Sequence, residues 1–63
     1  MFKIEIRTSG AAFCDPYTGE PDEYCEALEL KRIIVGVAED LEHNQTHGSL
    51  FDINGNKVGQ WSR

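Results

Sequence analysis

Pro21 to His43, PDEYCEALELKRIIVGVAEDLEH, is the one long helical pattern in the chain. At about 100° per residue from Ala27, the residues Ala27, Leu30, Ile34, Val37, Ala38 and Leu41 share one stripe, and Cys25, Glu29, Arg32, Gly36, Glu39 and Asp40 fall opposite. The spacing predicts an amphipathic helix over 21–43 whose Ala27–Leu41 stripe faces inward. Pro21 suits the first helical turn, where its missing N–H has no intrahelical partner. Asp22 and Glu23 lie where the positive end of the helix dipole favours carboxylates, and Asn44 can take the left-handed conformation that closes a helix. Gly36 is a weakness of roughly 1 kcal/mol relative to Ala, and it projects outward.

A second apolar edge complicates this helix. Tyr24, Leu28 and Val35 lie about 60–100° round from Ala27, and Ile33 lies on the opposite flank. A three-stranded sheet is too narrow to cover both. Either the loop over 9–20 folds across the Tyr24–Leu28 edge through Phe13 and Tyr17, or the edge is an exposed patch suited to a second copy or a host protein.

Working outward, Phe2, Ile4 and Ile6 alternate with Lys3, Glu5 and Arg7, which predicts a half-buried strand over 2–8. Residues 9–20 read as an ordered loop, with Asp15-Pro16-Tyr17-Thr18-Gly19 as a turn, Phe13 as a plug at one end of the core and Tyr17 over its edge. Past the helix the period changes to that of a hairpin over 48–62 centred on Asp52-Ile53-Asn54-Gly55-Asn56. A bulged turn with Gly55 left-handed sets Leu50 against Val58 on one face and Phe51, Lys57 and Trp61 on the other. A two-residue Asn54-Gly55 turn pairs Phe51 with Val58 instead. Asp at the first turn position and Gly at the fourth favour the bulged form.

The element order is therefore strand, helix, strand, strand. The fold predicted is a single α+β domain, a β-α-β-β unit with one helix on one face of a three-stranded sheet. Strand order 1-3-2 makes every neighbour antiparallel, whereas a central second strand requires a parallel pair. The expected core is Ile4, Leu30, Ile34, Val37, Leu41 and Val58.

Sixty-three residues hold one small domain. At this size net stability is only about 3–5 kcal/mol, and such domains rely on a disulfide, a metal, a partner or very regular packing. No long apolar run and no export signal are present, which points to a cytoplasmic protein without membrane contact. Cys14, Cys25, His43 and His47 do not make a zinc site: Cys25 and His43 are 18 residues apart on the helix, about 27 Å. A reducing compartment leaves Cys14 and Cys25 as free thiols, with their pairing open. Asp52-x-Asn54-x-Asn56 opens like a calcium loop, but Lys57 and Arg63 stand where Gly and Glu are needed. There is no phosphate-binding glycine loop and no nucleophile-base set, so the expectation is a non-enzyme without cofactor or metal.

Charge is distributed unevenly. The net charge is -5, and nine of the eleven acids lie between Asp15 and Glu42 against only Lys31 and Arg32. Two candidate surfaces follow. One is the acidic helix side with its apolar edge, carried by Glu29, Arg32, Glu39, Asp40, Tyr24, Leu28 and Val35, suited to a protein with a basic groove. The other is the sheet face, where Lys3, Arg7 and Lys57 with Phe51 and Trp61 could stack single-stranded bases. The acidic balance ranks nucleic acid below protein, because phosphate contacts supply most non-specific affinity.

The DINGNKVG stretch, the AAF after the first strand and the ELKRII helix core resemble a set of short, uncharacterised proteins of bacteria, phages and other mobile elements. These share an AAF element, a single helix and a closing DINGN-x-VG hairpin. The resemblance implies a compact β-α-β-β protein in a mobile-element setting and carries over no catalytic residue. Together the readings predict a small acidic protein-binding module, an accessory or inhibitor of the anti-defence type, acting on a host or phage protein or pairing with a second copy.

Overall fold

Alternation in the first strand is realised over Lys3–Ile6 (β1) in the computed structural model, which describes residues 1–63. The long helix α1 runs Glu23–Glu42, and the hairpin is built from β2, His47–Phe51, and β3, Lys57–Ser62. The sheet order is β1-β3-β2 with both pairings antiparallel. A short 3-10 turn, Ala11–Phe13, interrupts the loop and packs against α1.

The helix begins at a cap rather than at proline. Asp22 is extended, and its Oδ1 accepts from the amides of Tyr24 at 2.8 Å and Cys25 at 3.1 Å, satisfying two otherwise orphaned donors. Pro21 therefore stands outside the helix, bridging Cys14 across the loop neck. At the other end Asn44 has φ 61°, the left-handed closure.

The hairpin turn is the bulged form. Gly55 has φ 84°, its amide donates to the Asp52 carbonyl at 3.0 Å, and the Asp52 amide donates to the Asn56 carbonyl at 2.9 Å. The Asp52 carboxylate, itself buried, accepts from the amides of Asn54 and Asn56. Phe51 then pairs Lys57 as the turn chemistry requires. The register next steps to Leu50 opposite Gly59, leaving Val58 as an extra residue in β3. This second bulge turns Val58 and Trp61 to the same side. Trp61 is thus buried at 2% exposure beneath the helix, not on the open face where the sequence placed it.

Two glycines make that packing feasible. A Cβ on Gly59 would collide with the Glu5 carbonyl of β1, and a Cβ on Gly48 would stand 2.7 Å from Trp61 Nε1.

The core is Phe13, Ile33, Val37, Leu50, Val58 and Trp61, with Ile4, Ile6, Ala12 and Leu30 half-buried around it. The inward face of α1 is therefore rotated from the expected one. Ile33 and Val37 face the sheet, while Ile34 and Leu41 are exposed. Glu29 explains the rotation. It is buried, its Oε1 takes Arg32 Nε at 2.6 Å, and its Oε2 takes the Ile53 amide at 2.8 Å. A carboxylate so satisfied can occupy the inner stripe, which a count of apolar residues assigns elsewhere. Phe13 plugs the core as expected, but Tyr17 covers nothing and is almost fully exposed.

Candidate functional site

Rotation of α1 leaves an unpaired apolar stripe on its outer face. Tyr24 is 72% exposed, Leu28 49%, Ile34 50%, Val35 47% and Leu41 36%. Ala27, Lys31 and Ala38 lie exposed among them. On the wheel this stripe is centred roughly 140° from Ile33, so α1 is apolar on two sides and its own sheet covers only one. Phe13 is buried in the core and Tyr17 is almost fully exposed, so neither aromatic of the loop covers the stripe. Exposed Glu23, Glu39 and Glu42 border it.

Of the helix residues singled out in the sequence, Tyr24, Leu28, Val35 and Glu39 belong to this outer face. Glu29 does not: the Arg32 hydrogen bond, the Ile53 amide and the Arg32 charge hold its carboxyl below the usual carboxylate range, despite the opposing effect of burial. Arg32 is committed to the same cluster, its Nη2 also donating to the Phe51 carbonyl at 3.0 Å, and its pKa is raised by the Glu29 bond. Asp40 is half-buried on the inner side. Ile34 and Leu41, read as core, are instead the outer face's central and C-terminal apolar residues. The Glu29–Arg32 spacing of three was the signal that could have found this, since an i,i+3 ion pair lets a carboxylate lie inside.

The open sheet face presents Lys3, Glu5, His47, Ser49, Gln60 and Ser62 around a shallow depression of about 440 Å³. Lys3 pairs Glu5 at 3.0 Å, and Arg7 donates to the Lys57 carbonyl at 3.2 Å. With Trp61 inside, Phe51 is the one aromatic left on this face, and Glu5 sits among its cations. A platform for two stacked bases is not assembled.

A groove of about 480 Å³ runs between the 3-10 turn, the helix start and the hairpin tip, lined among others by Cys14, Cys25, Leu28 and Ile53. Both thiols are free. Desolvation, then the Asp22 carboxylate, push the Cys25 thiol up, away from the reactive thiolate. Cys14 Sγ lies 3.5 Å from the Gly10 carbonyl. His43 turns its Nδ1 to the Glu39 carbonyl at the far end of α1, and no group of three or more His, Cys, Asp or Glu is placed to hold a metal ion.

No helix is long and apolar enough to cross a membrane. In comparisons with protein-family models, curated proteins and solved structures, nothing matched this chain.

Proposed function

We propose that this chain is a non-catalytic protein-binding module working through the outer face of α1. The observation that carries the reading is the single stripe of Tyr24, Leu28, Ile34, Val35 and Leu41, exposed on a domain this small. A contiguous apolar patch bordered by charge is the usual mark of an interface, and an aromatic such as Tyr24 is a suitable anchor. The bordering carboxylates favour a partner with cations around an apolar surface, and the net charge of -5 disfavours a polyanion.

The likeness of the AAF, ELKRII and DINGN elements to mobile-element proteins supports a cytoplasmic accessory or inhibitor role. In that role the acidic flank of α1 would compete with nucleic acid for a basic groove on a host protein. Affinity capture from host extract with the chain and with Val35→Asp tests it. A partner held by the native chain and lost by the folded variant is expected. Capture unaffected by Val35→Asp, or tight binding of a single-stranded oligonucleotide at low salt, would overturn it.

A further inference from the structure

We infer that the outer face of α1 pairs with the same face of a second copy, the two helices antiparallel and the two sheets turned outward. This rests on the protein-binding reading and names the partner. Tyr24, Ala27, Lys31, Ile34, Ala38 and Leu41 follow one another at intervals of three, four, three, four and three, the seam spacing of a coiled coil. All six are exposed.

An antiparallel two-fold axis superposes this seam on itself. Tyr24 of one copy meets Leu41 of the other, Ala27 meets Ala38, and Lys31 meets Ile34. Each layer occurs twice, and large side chains meet large where small meet small. Leu28 and Val35, one position further round, then face each other across one flank of the seam. Lys31 lays its stem over Ile34 and carries its ammonium to the edge, setting register in the way a single polar seam residue does.

Area and stability agree with this arrangement. At the exposures above, the stripe holds on the order of 500–600 Å² per copy, so a pair that buries all of it just clears the roughly 1,000 Å² floor of a specific interface. A domain this small is marginally stable by itself, so burying the stripe in a pair adds to its stability without being required for folding. Both copies carry the same acidic rim, so salt should strengthen this pairing, whereas it would weaken docking of a basic partner.

Light scattering over a concentration and salt series tests the inference. The expected mass is twice the 7.1 kDa of the chain, with half-dissociation moving to lower concentration as salt rises. Lys31→Leu should tighten the pair roughly tenfold or more, since it removes a polar residue from two layers. Ile34→Asp should give a folded monomer by circular dichroism, and if that variant does not fold, Lys31→Leu decides. A monomer at every concentration, or a dimer indifferent to Lys31→Leu, overturns the second copy. A monomer that still captures a foreign polypeptide through the Val35 face leaves the protein-binding reading standing, and one that captures nothing sinks both.

Discussion

Glu29 Oε2 accepts the Ile53 amide at 2.8 Å, tying the middle of α1 to the tip of the β2–β3 turn. Its other oxygen holds Arg32, which continues to the Phe51 carbonyl at the end of β2. These bonds fix how α1 is rotated over the sheet, and so which of its two apolar sides is left outside.

Glu29→Ala should accordingly destabilise the fold. It leaves the Ile53 N–H without its acceptor and Arg32 without its carboxylate, a loss of about 1–3 kcal/mol. Urea denaturation measures it; Glu29→Gln, which keeps an acceptor for Ile53, should lose less. A native midpoint for Glu29→Ala would mean the rotation is set elsewhere.

Acid sensitivity follows from the same cluster. Glu29 and Asp52 both titrate below the ordinary carboxylate range in the folded chain, Glu29 chiefly through Arg32 and Asp52 chiefly through the Asn56 amide. Their contribution to stability is complete above the unfolded carboxylate range and is lost as pH falls through the depressed folded values. Denaturation midpoints measured down a pH series should hold near neutrality and fall in acid. Glu29→Gln should fall less steeply than the native chain, and an equal slope would show that Glu29 is not a linked group.

Phe13 and Tyr17 separate the two roles of the loop. Phe13→Ala removes a side chain only 2% exposed and should cost about 3–5 kcal/mol, comparable to the whole stability of a domain this small. Tyr17→Ala should leave the melting curve unchanged. A large loss at Tyr17 would mean that it covers apolar surface after all.

Gly59→Ala should prevent β1 from pairing, because the added methyl occupies the place of the Glu5 carbonyl. Gly48→Ala is the milder case, since the Trp61 ring can shift, and should appear as a change in Trp61 fluorescence with the fold retained. Native behaviour of Gly59→Ala would place β1 at a different distance from β3.

Much of this fold is legible in the residues. Alternation at Phe2–Arg7, the Asp52–Asn56 turn with Gly55 and the all-antiparallel order follow from local chemistry that tertiary packing does not overturn. The helix face is not legible in the same way. Its two apolar stripes compete, and the buried one contains Glu29, whose acceptability inside depends on a donor 24 residues away at Ile53. Trp61 is hidden for a similar reason: the extra residue at Val58 reverses the alternation of β3, and alternation alone places the indole on the open face. The candidate site inherits both effects. Tyr24, Leu28 and Val35 are recognisable as an uncovered edge, but Ile34 and Leu41 join them only once the rotation is known.

The face of α1 is tested most directly by comparing the unfolding of Ile33→Asp and Ile34→Asp in dilute solution, where no second copy is bound. Ile33 is 5% exposed and Ile34 is 50% exposed, so Ile33→Asp should leave the chain unfolded and Ile34→Asp should leave it folded with a cooperative melt. A folded Ile33→Asp beside an unfolded Ile34→Asp would contradict it, returning Ile34 to the core and removing the outer face on which the proposed docking depends.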